Sequence, residues 1–359
     1  GYRSILEAFR VFAKIDDSLY AESSSSSKTT INNICPSSGL PCSCGASDAA
    51  CDEGSSDCRR FSFSQIGGES FDGEKELIFP SELVFRKRSS LNLCGFGGMK
   101  WYRPLTLQHA LNLKSLYPSS KLVVGNSEVG IEMKFKNAQY QVLISLTHVP
   151  ELNNWSAKKN GLEVGAAVRL SLLQQILKGV IAERDAHETS SCKAILEQLK
   201  WFAGKQIKNV ACIGGNICTA SPISDLNPLW MAAGAEFRII DCKGKVRTAL
   251  AKDFFISYRQ VGMENNEMLL SVFLPWTRSF EFVKEFKQAH RKDDDIALVN
   301  AGMRVLLEGG CRKWSVTEAS IVFGGVAPVS LAALKTEGFL LGKCWNRTLL
   351  EDSLGSVKE

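Results

Sequence analysis

Two glycine-bearing segments, Lys121–Glu128 (KLVVGNSE) and Cys212–Asn216 (CIGGN), constrain this chain more than any other feature. Each follows an apolar, strand-like run and then breaks into small residues. Backbone N–H groups in a tight glycine turn can approach an anion with no side chain in the way. One such segment alone reads equally well as a strand-to-helix turn without a ligand. Two of them are followed by polar residues: Ser127 and Glu128 after the first, Thr219, Ser221, Ser224 and Asp225 after the second. Together they predict a dinucleotide with its pyrophosphate gripped by Gly125-Asn126-Ser127 and Gly214-Gly215-Asn216. The spacing is not G-x-G-x-x-G, which excludes the Rossmann fingerprint.

The 359 residues are enough for two or three domains. A hydrophobic content of 45% and a charged content of 23% belong to an ordinary globular composition. The net charge of +5 is mild, and the basic run Arg86-Lys87-Arg88 is short, so no nucleic-acid partner is expected. No apolar stretch approaches the roughly 20 residues that cross a bilayer, so no membrane association is expected either. Of the twelve cysteines, Cys35, Cys42, Cys44, Cys51 and Cys58 cluster near the N-terminus. The others lie in apolar contexts, as buried reduced thiols do. Without a secretory signal a disulfide scaffold is not expected. The chain opens on Gly1 with no initiator Met, which reads as a fragment or a processed product.

Residues 1–20 place Ile5, Leu6, Phe9, Val11, Phe12 and Ile15 at helical spacing. Such a helix needs a partner for its apolar face, so it reads as the end of a larger domain. A Ser/Gly/Asp/Cys-rich tract with linker composition follows. Its cysteines read either as a metal or iron–sulfur site or as thiols carried by a linker; no histidine stands near them. From about Trp101 the pattern is compact. It predicts strands at 101–103, 121–124, 140–145, 161–167 and 210–213, and helices at 105–116, 170–184 and 191–201. A helix end followed by a strand is predicted across 230–240. A second unit starts near Phe280, with antiparallel strands at 282–286, 301–307 and 319–323 and a helix at 330–341. Nothing resembles a Ser/His/Asp triad, a P-loop or a zinc site.

Asp225 sits where a carboxylate could accept ribose hydroxyls, or could cap a helix starting at Leu226. Lys287 and the run Arg291–Asp295 form a further polar cluster, which on the residues alone reads first as a solvated turn between strand and helix.

KLVVGNSEVGIEMK (121–134), HETSSCKAILEQLKWFAGKQIKNVACIGGNICTASPISDLNP (187–228) and FKQAHRKDDDIALVNAGMRV (286–305) resemble the FAD-binding portion of the xanthine dehydrogenase family, above all its plant members. The resemblance covers nearly the whole chain. It implies an α+β fold: a two-subdomain FAD-binding unit of the vanillyl-alcohol-oxidase/PCMH type, then a truncated α/β flavoprotein C-terminal domain. The implied domains are 1–20 (last helix of a [2Fe–2S] domain), 21–90 (linker), 91–278 (FAD-binding) and 279–359 (C-terminal). By resemblance, the FAD contacts are Lys121, Leu122, Val123, Val124, Gly125, Asn126, Ser127, Glu128, Phe202, Cys212, Ile213, Gly214, Gly215, Asn216, Asp225, Leu269 and Lys287. Phe202 and Leu269 would pack near the rings. Tyr258 and Asp294, with Glu128, would face NAD+.

The implied activity is oxidation of hypoxanthine and xanthine to urate with reduction of NAD+ by hydride transfer. The whole enzyme would add two [2Fe–2S] clusters and a molybdopterin cofactor, and would form a homodimer. No residue here is implied as a general acid or base, and none as a metal ligand. The linker cysteines resemble a plant linker sequence and not the family's cluster ligands. Ser127 stands where Thr is usual and keeps the hydroxyl. Cytoplasmic or peroxisomal localisation is implied. Two other readings compete: an aldehyde-oxidase-type flavin domain that uses oxygen, and an inert truncated fragment. The acidic run at Asp294 favours the NAD-reducing form.

Overall fold

The computed structural model describes residues 88–95, 98–291, 294–310 and 313–357. The predicted N-terminal helix and the cysteine-rich linker lie outside them. The first layer is a four-stranded sheet of β1 (Leu91–Cys94), β2 (Lys100–Arg103), β3 (Lys121–Val123) and β4 (Val142–Ser145), in the order β1-β2-β4-β3. β1 runs antiparallel to β2, while β2 and β3 both run parallel to β4. Parallel neighbours need a crossover: the helix Leu107–Leu116 carries the chain from β2 to β3, and the helix Val129–Phe135 carries it from β3 to β4. Its start follows from the sequence: Thr106 accepts a hydrogen bond from the His109 N–H at 3.2 Å. Its apolar face meets Ile144, Leu152 and Met268 in one small core.

The second sheet is antiparallel. It contains β5 (Trp155–Ala157), β6 (Gly161–Gly165), β7 (Glu236–Asp241), β8 (Val246–Leu250) and, after a hairpin of β9 (Phe255–Ser257) and β10 (Gln260–Val261), β11 (Glu267–Pro275). The order is β5-β6-β11-β7-β8. The helices Leu170–Glu183, Ser190–Gln198, Ile213–Thr219 and Asn227–Ala232 contribute to its main core, with Leu173, Ile195, Ile217 and Trp230 buried against Phe237 and Val272.

β12 (Glu281–Ala289), β13 (Ala297–Gly310), β14 (Lys313–Gly324) and the short β15 (Leu331–Ala332) form an antiparallel meander. Val283 and Val322 join the main core, so this sheet shares it with the preceding helices. Leu307 and Val316 pack instead with Leu340 and Leu349 of the C-terminal helices Leu334–Leu340 and Arg347–Val357. Among the described residues no helix is long and apolar enough to cross a membrane.

Two expectations are corrected. The 210–213 segment is no strand: it makes one isolated bridge, Arg169 to Cys212, and Cys212 then caps the helix Ile213–Thr219. The glycines of CIGGN therefore stand in a helical first turn. The helix expected at 330–341 is shorter, because Leu331 and Ala332 pair with β14.

Candidate functional site

The first glycine segment turns against the backbone that leads into the second. A Cβ on Gly125 would lie 2.1 Å from the Val210 carbonyl oxygen and 2.8 Å from the Ala211 nitrogen. Only glycine lets these two backbones come so close. Asn126 takes up a left-handed φ of 54° and sends the chain into the helix Val129–Phe135. The N–H groups of Gly125, Asn126, Ser127 and Glu128 have no acceptor among the described residues.

The second segment differs. Ile213 and Gly214 donate to the carbonyls of Val168 and Ala166, at 3.1 and 2.8 Å. Gly215 donates to the Cys212 sulfur at 3.2 Å, and Asn216 to the Cys212 carbonyl at 3.1 Å. Four N–H groups thus already have protein partners. Symmetric gripping of a pyrophosphate by both segments is corrected to a division of labour: the first offers free donors, the second forms a wall.

A cleft of about 520 Å³ lies between them. It is lined by Lys121, Leu122, Val123, Val124, Gly125, Asn126, Ser127 and Glu128, by Phe202, by Cys212, Gly215 and Asn216, and by Asp225 and Asp294. That volume is within the range of small-molecule sites. Five expected residues are placed elsewhere. Ile213 and Gly214 are buried, and a Cβ on Gly214 would meet the Ala166 carbonyl at 2.8 Å. Leu269 is 4% exposed in the main core, because its strand is the centre of the second sheet. Tyr258 is exposed and outside the cleft.

Lys287, on β12, lines a neighbouring cavity of about 430 Å³. Its Nζ donates to the Trp201 carbonyl at 2.8 Å, to Asp225 Oδ2 at 3.0 Å and to the Asp295 carbonyl at 2.8 Å. All three ammonium donors therefore have protein partners, and Lys287 reaches the cleft only through the residues it ties. Asp225 does not cap the helix Asn227–Ala232. Its Oδ1 is buried with no partner among the described residues, and burial raises its carboxyl pKa against the pull of Lys287.

Some lining residues were not anticipated. Arg259, at the β9–β10 turn, comes from far along the chain and places Nη1 2.7 Å from Glu128 Oε1 and 3.3 Å from Glu132 Oε1. Its Nε–H is buried with no partner among the described residues. Asp295 and Ile296 line the other side. The backbone N–H groups of Arg291 and Ile296 bond the Asp295 carboxylate at 2.8 Å each and hold its pKa below the ordinary value. Asn126, Ala203, Arg259 and Asp294 all line the cleft and all have left-handed φ, at 54°, 34°, 56° and 51°. Asn and Asp adopt this region readily, whereas Ala203 and Arg259 held there are the strained pair, and such strain gathers at functional sites. The turn-like Tyr258–Gly262 stretch was the only local signal for Arg259.

Residues 96–277 match the family described as the FAD binding domain in molybdopterin dehydrogenase, and residues 284–359 match the CO dehydrogenase flavoprotein C-terminal domain. The chain is 61% identical, over its full length, to xanthine dehydrogenase 1 of Arabidopsis thaliana and 57% identical to xanthine dehydrogenase of Oryza sativa subsp. japonica. It spans 26% of the length of each. Among solved structures, carbon monoxide dehydrogenase from Hydrogenophaga pseudoflava superposes with a TM-score of 0.63 at 24% identity, covering 71% of this chain and 84% of that one. Quinoline 2-oxidoreductase from Pseudomonas putida 86 gives 0.63 at 23% identity, covering 74% and 87%. These two likenesses concern the fold. The matched cleft-bearing region and its relatives show that the chain belongs to the FAD-binding domain family of the molybdopterin dehydrogenases.

Proposed function

We propose that the cleft holds FAD and that this chain is the flavin-carrying, electron-transferring segment of a molybdenum hydroxylase. The whole enzyme would oxidise hypoxanthine and xanthine to urate and reduce NAD+, in keeping with the plant relatives. Two [2Fe–2S] clusters, a molybdopterin cofactor and a homodimer would belong to it. The observation that carries the reading is the run of four N–H groups from Gly125 to Glu128 that have no acceptor among the described residues, in the same cleft as the Asp225 Oδ1 that likewise lacks a partner among them. Such donors suit a pyrophosphate, and such an acceptor suits a sugar or ribityl hydroxyl.

When bound, FAD supplies the redox chemistry, taking electrons from the rest of the enzyme and delivering hydride to NAD+. The chain's own residues bind and orient. The N–H groups of Gly125–Glu128 would hold the pyrophosphate. Phe202 offers a flat apolar surface to a ring, while Cys212, Gly215 and Asn216 would close the opposite wall. Lys287 and Leu269 would act one step removed, the first by fixing Asp225, the second by filling the core. Glu128 and Asp294 would face NAD+, with Tyr258 outside beside Arg259. Asp295, kept ionised by its two backbone donors, adds negative charge to this side.

The test is the visible absorbance of the purified chain, with the released cofactor identified, followed by anaerobic addition of NADH. Bound FAD bleached by NADH is the expected result. A folded chain that takes up no flavin under any loading condition would falsify the reading. Bound FAD that ignores NADH, and after chemical reduction reacts fast with oxygen, would favour the aldehyde-oxidase-type alternative.

A further inference from the structure

Glu128 places a carboxylate on the very loop whose N–H groups are free. Charged acceptors bind backbone N–H groups strongly, so this carboxylate is the nearest competitor for any anion on that loop. It stands at the N-cap of the helix Val129–Phe135, where side chains commonly fold back onto backbone N–H groups, yet it makes no such bond. Instead Oε1 is drawn to Arg259 Nη1 at 2.7 Å, with Lys136 Nζ at 3.9 Å. Arg259 comes from a different sheet region and holds a left-handed φ of 56°. Its second contact, to Glu132 at 3.3 Å, fixes the guanidinium from the side of the helix.

We infer that Arg259 is a positioning residue that keeps the Glu128 carboxylate off its own loop and so leaves the four N–H groups free for the dinucleotide. The inference rests on the reading of the cleft as an FAD site. It extends that reading by giving Arg259 an indirect role: it removes an internal competitor for the anion site. Lys136 cannot replace it, because at 3.9 Å it is a loose, exposed partner at the far end of the helix Val129–Phe135. Without Arg259, the carboxylate turns inward and FAD must displace it.

The experiment measures FAD affinity by fluorescence quenching on the full chain and on R259M, R259K, E128Q and the double variant R259M/E128Q. Folding is checked by circular dichroism. R259M is expected to weaken FAD about tenfold, the scale of losing one charge-assisted hydrogen bond. R259K is expected to retain most of the affinity. The decisive result is suppression: R259M/E128Q should bind FAD about as well as the unaltered chain. A purely structural role for Arg259 predicts no rescue, so a double variant as weak as R259M overturns the inference, as does an R259M that binds normally. If R259M does not fold, R259Q and R259Q/E128Q carry the same comparison: rescue of FAD affinity by E128Q supports the inference, and no rescue overturns it. Failure of the unaltered chain to bind FAD overturns the site reading itself, a result distinct from normal binding with no suppression.

Discussion

Lys287 Nζ lies 3.0 Å from Asp225 Oδ2, and the two side chains are 7% and 9% exposed. They are 62 residues apart in sequence and belong to different layers of the fold. The same ammonium ties the carbonyls of Trp201 and Asp295, so one cation fastens three segments around the cleft. Attraction across a buried pair roughly offsets the desolvation of both charges, but a lone buried charge has no such compensation.

Substituting Lys287→Met should therefore destabilise the chain by about 3–5 kcal/mol. Asp225 would lose the cation that counters its burial, and its carboxyl would take up a proton more readily. Urea unfolding and flavin content measured together check this. Lys287→Arg should restore little, because a planar fork cannot reach three acceptors arranged for a compact ammonium.

The glycines of the two segments should rank by the space beside them. Gly125→Ala places a methyl 2.1 Å from a backbone oxygen, Gly214→Ala 2.8 Å from one, and Gly215→Ala 3.1 Å from a sulfur. Backbone cannot give way as a side chain can, so Gly125→Ala should cost about 3 kcal/mol and abolish flavin retention. Gly215→Ala should be the mildest of the three. Thermal melts of the three variants settle the order.

Acid should loosen the meander sheet first. Arg278 bonds Glu318 at 2.8 Å through both Nη atoms and also pairs with Glu281, which Arg304 meets at 2.6 Å. The Arg278 hydrogen bonds pull the Glu318 carboxyl down from 4.5 to about 2. A carboxyl whose folded pKa is depressed stabilises fully above its unfolded value and loses that contribution as pH falls toward the folded one. Stability from this site should thus hold above about pH 5 and decline between about pH 4.5 and 2. Water screens the half-exposed Arg278–Glu318 pair, so Glu318→Gln should remove only about 1 kcal/mol of that slope. Denaturant midpoints across pH 2–6 measure it.

Thiol labelling should divide the described cysteines by burial. Cys94 and Cys344 are exposed, whereas Cys192 and Cys212 are 1% and 5% exposed. Burial pushes the Cys192 thiol up to about 12 and the Cys212 thiol up to about 11. The thiolate is the reactive form, so at pH 8 iodoacetamide should modify Cys94 and Cys344 and leave the buried pair intact until the chain unfolds. Peptide mass mapping reads the outcome.

The sequence by itself determined the local pieces. The apolar run of Lys121–Val123, the break at Gly125-Asn126, the capping Thr106 and the alternation along β12 to β14 are all set within a few neighbouring residues, because strand period, helix caps and left-handed turns are short-range properties. The resemblance carried by the same segments pointed to the flavin-domain family. Tertiary structure decided what each piece does. Gly125 is needed because the Val210 carbonyl arrives from elsewhere, and the second glycine segment lacks free donors because Val168 and Ala166 take its N–H groups. Leu269 is core because its strand is central, Lys287 acts through Asp225, and Arg259 reaches Glu128 from 131 residues away. A sequence states which groups a residue can offer. Whether those groups are free, buried or already bonded depends on which distant backbone packs against them, and only the folded chain fixes that.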